Sequence, residues 1–159
     1  STAPIRWVPS LSPGKTIPSA RHTQIIEVLR QGVRDEMNAA FQYMGIAGLH
    51  GDGELKQAFL SYAADELHHA EKLLAELRQR RGKAEDFTLQ VGEWEDLYAF
   101  LIEYMAHEES AIFYYDTLAA LTDQKELQKL CREIGDEERL HLQQMESLYQ
   151  KLKHEGYHG

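Results

Sequence analysis

The pattern Glu-x-x-His occurs at Glu66–His69 and again at Glu138–His141, and each copy has a glutamate upstream of it, Glu36 and Glu108. On a helix, residues three apart lie one turn above each other on the same face, so a carboxylate and an imidazole can bind one transition metal together. A single such motif is common on solvated helix faces. A third match, Glu155–His158, is flanked by glycines, has no partner and is read as chance. The first two differ in their surroundings. At helical spacing Glu36 lies among Leu29, Val33, Ala39, Ala40 and Tyr43, and Glu66 among Phe59, Tyr62, Ala63 and Leu73. Glu108 lies among Leu101, Met105, Ala111, Ile112 and Tyr115, while Glu138 and His141 share a face with Cys131, Ile134, Met145 and Tyr149.

Four ionised carboxylates in an apolar interior each cost several kcal/mol in desolvation, with mutual repulsion added. Two divalent cations neutralise the four charges. An oxygen-rich set with two imidazoles suits iron or manganese better than structural zinc. Six protein ligands on two metals leave positions for water, dioxygen or peroxide, and metals about 3.5–4 Å apart can hold both ends of an O–O unit.

These side chains need elements that hold them level. Pro4, Pro9, Pro13 and Pro18 all fall in the first eighteen residues. Proline lacks the amide a helix interior uses, so an extended arm (1–22) is expected before a helical body (23–152) and a short tail (153–159). Apolar periodicity divides the body into four helices. The first runs from about Thr23 to His50 and ends at Gly51-Asp52-Gly53, with Leu29, Val33, Tyr43 and Ala47 inward. The second runs from about Glu54 to Arg81 along Phe59, Tyr62, Leu73 and Leu77, with Gly82 placed as its cap. The third, from about Glu93 to Leu121, carries Leu101, Met105, Ile112, Tyr115 and Ala119 inward. The fourth opens at Asp123, with Glu126 completing a capping-box-like pattern, and continues to about Leu152. Very short turns make each pair an antiparallel hairpin. Between the hairpins, Phe87, Leu89 and Val91 alternate with polar residues in a stretch that reaches roughly 36 Å, so a long crossover is expected.

An internal repeat fixes the register. A shift of 72 residues aligns 25–80 with 97–152 without a gap, with eleven identities in 56 positions. Among the matches are Glu36 with Glu108, Tyr43 with Tyr115, Glu66 with Glu138 and His69 with His141. Glu36 and Glu66 lie 15 residues either side of Gly51, and Glu108 and Glu138 lie 15 either side of Asp123. Equal distances from a hairpin turn put residues level, so the four glutamates should meet at the middle of the bundle.

Composition narrows the class. With 26 acidic against 17 basic residues the chain carries a net charge of −9, which argues against a nucleic-acid partner. The one cysteine, Cys131, excludes an internal disulfide and any CxxC metal site and reads as a core filler. No stretch approaches the roughly 18 apolar residues of a membrane span, and the first residues lack the apolar run of a signal peptide. The expectation is a soluble cytoplasmic protein with no membrane partner.

One glutamate from each of two helices plus Glu-x-x-His from each of the others resembles the ferritin-like di-iron carboxylate superfamily: bacterioferritin, the erythrin domain of rubrerythrins and manganese catalase. The likeness covers roughly 23–152 and implies an all-α four-helix bundle. It implies that Glu66 and Glu138 bridge two metals, that Glu36 and Glu108 are terminal ligands, and that His69 and His141 bind one metal each. Tyr43 and Tyr115 resemble the tyrosines that hydrogen-bond ligand carboxylates there. Leu67 stands where bacterioferritin has its haem-ligating methionine, so no haem is expected. Ala111 and its mate Ala39 stand where rubrerythrins carry an extra glutamate, and the cysteine-ligated iron module is absent. Classical ferritin cages add a short fifth helix, and with seven residues (153–159) after the expected fourth helix a 24-subunit shell is not expected.

The expected function is a ferroxidase-like di-iron oxidoreductase that oxidises Fe(II) with dioxygen or hydrogen peroxide, holding two Fe ions with Mn as the alternative. Peroxide removal, fed by an electron-donor protein or as a manganese catalase, and a non-enzymatic metal-storage bundle are the competing expectations. Glu109 is the rival to Glu108, while Asp65 and Glu137 are candidate partners for the histidines. His107, just before Glu108, reads as a surface residue, with an approach to the metals as the alternative. A homodimer or larger homo-oligomer is expected, with Trp7 packed on the body or on a neighbouring subunit.

Overall fold

The computed structural model describes residues 19–49, 53–90, 92, 94 and 96–156. The arm to residue 18 with Trp7, Val91 of the connection and His158 of the tail lie outside them. The described residues form four α-helices: α1 (Ala20–Gly48), α2 (Glu54–Gln79), α3 (Leu97–Leu121) and α4 (Lys125–His154). α1 pairs with α2 and α3 with α4, the two expected hairpins of an all-α, ferritin-like bundle.

The helix ends depart from the expectation in ways local chemistry explains. Ser19 accepts from the His22 amide, so α1 begins three residues inside the expected arm. α3 begins at Leu97 rather than near Glu93, because the Asp96 carboxylate accepts the Ala99 amide at 2.8 Å. Asp123 does not cap α4. It is exposed and pairs with Arg21 at 3.0 Å, while α4 starts at Lys125 behind Gln124 with no side-chain cap. The left-handed residue after α2 is Arg81 (φ 58°), not Gly82, whose amide instead reaches back to the Leu77 carbonyl at 2.8 Å.

The crossover runs along α1 in the same direction as the helix. Glu85 faces Arg30 and Arg34 at 3.8 and 3.9 Å. Further on, the Gln90 amide donates to Asn38 at 3.1 Å and the Gly92 amide to Gln42 at 2.8 Å. The chain therefore reaches the Gly48 end of α1 before α3 turns back, making α3 antiparallel to α1.

The core has two parts, one at each end. One holds Tyr43, Phe59, Tyr62, Phe100, Tyr104 and Met145; the other holds Leu29, Val33, Leu73, Leu77, Leu118, Leu127 and Ile134. On α3 the inner stripe is turned by one residue from the expected one: Tyr104 and Leu118 are buried, while Met105, Ile112 and Ala119 are half-buried. Cys131 is buried as a core filler.

Candidate metal centre

Between the two ends lies a polar layer. α1 supplies Glu36, α2 Glu66 and His69, α3 Glu108, and α4 Glu138 and His141; none is more than 4% exposed. Their ligand atoms form two overlapping groups, each spanning at most 4.8 Å: Glu36, Glu66, His69 and Glu138, and Glu66, Glu108, Glu138 and His141. Glu66 and Glu138 belong to both. His69 Nδ1 lies 3.0 Å from Glu138 and 3.5 Å from Glu36 and Glu66. His141 Nδ1 lies 3.3 Å from Glu66 and 3.7 Å from Glu108. The rival Glu109 is exposed, as are His68 and Glu71.

Four of the six side chains, Glu36, Glu108, His69 and His141, are oriented from outside. Tyr115 Oη donates to Glu36 at 2.6 Å, and Tyr43 Oη donates to Glu108. The outward ring nitrogens pair with the expected acids: His141 Nε2 with Asp65 at 2.7 Å and His69 Nε2 with Glu137. With Nε2 so engaged, both Nδ1 atoms face the layer. Each of these four contacts joins one hairpin to the other. Tyr62, whose ring lies 4.6 Å from that of His141, and Tyr104, stacked on Phe100, complete the aromatic side. Tyr104 escaped the sequence reading because Met105 has the same apolar spacing.

The electrostatics are those of carboxylates and imidazoles gathered in an apolar interior. Burial first, then the charge of neighbouring glutamates, pushes Glu66 and Glu138 well above the usual carboxylate range. Burial opposes charge on His141, but hydrogen bonding and attraction to Glu108 outweigh it and lift the imidazole to about 9. His69 is raised further by Glu138, Glu36 and Glu66 against the same burial. Burial, with Glu108 and Glu36 beside them, raises Tyr43 and Tyr115 well above 10, so both phenols keep their protons and donate.

Among the described residues, the buried side-chain nitrogens and oxygens without a hydrogen-bond partner are Glu36 Oε2, both oxygens of Glu66, Glu108 Oε2, both oxygens of Glu138, and the two histidine Nδ1 atoms. Native interiors leave few such atoms. Here all belong to six residues that point into one space, and the set is six oxygens and two nitrogens. That donor set fits a dinuclear iron or manganese centre.

The Rubrerythrin family model matches residues 27–149. The chain belongs to the rubrerythrin family. Solved structures share this rubrerythrin-family bundle at low identity. A dodecameric thioferritin, the bacterioferritin-related protein of Bacteroides fragilis, is 19% identical with a TM-score of 0.74 over 85% of this chain and 89% of that one. The bacterioferritin of Desulfovibrio desulfuricans, whose di-iron site was examined in different catalytic states, is 24% identical with a TM-score of 0.71 over 84% and 82%. The bacterioferritin of Mycobacterium tuberculosis is 16% identical with a TM-score of 0.73 over 87% and 89%. No curated protein sequence matches this rubrerythrin-family chain. Among the described residues, no helix is long and apolar enough to cross a membrane.

Proposed function

We propose that the protein is a non-haem dinuclear iron oxidoreductase of the ferroxidase type. Glu36, Glu66, His69, Glu108, Glu138 and His141 bind two iron ions, with manganese the alternative, and Fe(II) is the substrate. The observation that carries this reading is the set of unpartnered buried oxygens and nitrogens converging from four helices. The metal pair supplies electron transfer when bound. Oxidation of two Fe(II) to Fe(III) releases two electrons, which with two protons convert dioxygen to hydrogen peroxide, or hydrogen peroxide to two waters.

The chain's own groups prepare that exchange. Glu66 and Glu138, which belong to both groups, would serve both metals, and Glu36 and Glu108 would serve one each. Asp65 and Glu137 hold the imidazoles with Nδ1 inward. Tyr43 and Tyr115 are the proposed catalytic tyrosines: each keeps a proton at Oη beside a ligand carboxylate, within the reacting layer. Leu67, 42% exposed at the haem-ligand position of the resemblance, offers iron no axial sulfur, so haem has no part in this reading. The proposed organisation is an arm ahead of α1, the metal-binding bundle from α1 to α4 (Ala20 to His154) and a short tail, working in the cytoplasm. Phe113 and Ile102, 73% and 55% exposed on α3, support assembly with further copies of the chain.

Aerobic addition of two Fe(II) per chain is expected to raise the near-ultraviolet absorbance of Fe(III) and then saturate, and Glu66→Ala to abolish that step. An unchanged variant overturns the assignment. The rubrerythrin-family match favours a second reading, peroxide removal with electrons from a donor protein. It predicts faster turnover of peroxide than of dioxygen when a reductant is supplied.

A further inference from the structure

α1 and α3 lie antiparallel over the ligand layer, and the 72-residue repeat pairs Gly32 with Tyr104, Asp35 with His107, Glu36 with Glu108 and Asn38 with Ser110. The two sides of this seam cannot be alike, because the crossover runs along only one. There, Tyr104 fills the place whose mate is Gly32, and Trp94 of the crossover packs on it with ring centroids 5.7 Å apart. Asn38 and Gln42 hold Gln90 and Gly92 over the same side. That face is closed.

On the other side, Tyr114 packs over Gly32 and donates to the Val28 carbonyl, and beside it the seam opens into a cavity of about 160 Å³ lined also by Asp35, Glu36, His107, Ser110 and Ala111. At about 30 Å³ per water, it has room for about five water-sized groups, enough for a partly hydrated ion. Asp35 and His107 are half-buried on the lining of this cavity; Asp35 accepts from Gln31 at 2.8 Å, and the His107 ring lies 5.0 Å from that of Tyr104. Glu36 is 4% exposed and its Oε2 has no hydrogen-bond partner. A carboxylate, an imidazole and a hydroxyl thus lead to an unpartnered buried carboxylate oxygen, and the small side chain of Ala111 keeps the space clear.

We propose that this cavity is the intake site of the dinuclear centre, where Asp35 and His107 hold a divalent cation in transit before Glu36 takes it over. The inference rests on the metal-binding reading above. It adds an order to it: the position served by Glu36 and His69 is reached first, and the one served by Glu108 and His141 is filled from within. The oxygen and nitrogen donors suit Fe(II), and the net charge of −9 favours cation approach.

The test uses crystals of the full chain soaked in Zn(II), which is redox-inert and gives an anomalous signal. Two peaks are expected among the six ligand residues and a weaker third between Asp35 and His107. In the double variant Asp35→Asn/His107→Ala, only the third should vanish. In stopped flow at limiting Fe(II), the variant should load about 10-fold more slowly to the same final absorbance, and Asn38→Ala, on the closed side, should load like the native protein. A missing third peak beside an intact central pair, or unchanged loading by the double variant, overturns the inference and leaves the dinuclear reading standing. A third peak without a loading effect is an adventitious ion only and overturns it equally. Loss of the central pair in the native protein means the dinuclear reading itself has failed, and the inference with it.

Discussion

The two ends of the bundle are mates under the internal repeat, yet they are built from different materials. Phe59 has Cys131 as its mate, Tyr62 has Ile134, and Phe100 has Val28. One end is a nest of rings in which Tyr43 lies 5.1 Å from Tyr104 and 5.4 Å from Tyr62. The other is branched aliphatic, and Tyr115 has Tyr114 as its ring neighbour at 4.8 Å. Between them the ligand layer keeps its symmetry almost residue for residue. The difference teaches which constraint acts where. A dinuclear centre tolerates little change in donor type or height, whereas an apolar end tolerates any filling of the right volume.

Large-to-small substitutions test that contrast most strongly. Phe59→Ala should cost about 3–5 kcal/mol and Leu73→Ala about 2–5 kcal/mol in denaturant unfolding. Equal losses would show that the rings act as plain filling.

The layer shared by both ends should respond to pH when metal is removed. His141 is held up at about 9 against an ordinary 6.5 by Glu108, in spite of burial. Its contribution, of the order of 3 kcal/mol, is complete below pH 6.5 and is lost as pH rises through 9. Glu66 and Glu138, buried and pushed well above 4.5, act in the same direction, since the metal-free fold weakens as they are forced to ionise. The melting temperature of metal-free protein should therefore fall from pH 5 to pH 9, and bound metal should flatten the fall.

Tyr43→Phe and Tyr115→Phe remove matching hydrogen bonds from opposite ends. Each should lower metal affinity by about 10–100-fold by titration calorimetry. If the aromatic surroundings matter to the chemistry, Tyr43→Phe should also slow Fe(II) oxidation per bound pair more than its mate does. Identical rates would reduce the two ends to scaffolding. The smallest contrast is at the helix starts. Asp96→Ala should cost about 1 kcal/mol by removing the α3 cap, and Asp123→Ala should stay within about 0.5 kcal/mol.

Much of this was legible in the sequence because polar residues on an apolar stripe are rare, and a repeat that preserves them fixes both register and height. Glu36, Glu66, His69, Glu108, Glu138 and His141 converge as the spacing predicts. The inner face of α3 was less legible. Its apolar residues run nearly all round, with Ile102 and Phe113 exposed and Leu101 and Tyr104 buried, so periodicity alone could not choose between Tyr104 and Met105. Gln42 was missed for a different reason. A buried glutamine gives no signal until the crossover it binds is placed beside it. His107 read chiefly as a surface residue because the cavity it lines is completed by Asp35 and Glu36 of α1, 72 and 71 positions away in sequence.

The four contacts that orient the ligands from outside all run between hairpins and none within one. A half-length polypeptide ending after α2 carries Glu36, Tyr43, Asp65, Glu66 and His69, one specimen of every part the centre uses. Two such chains, related by a twofold axis, would supply each other's missing contacts. The protein has the form left when a gene for a small self-pairing hairpin doubles and fuses, with the crossover as the seam where symmetry was given up.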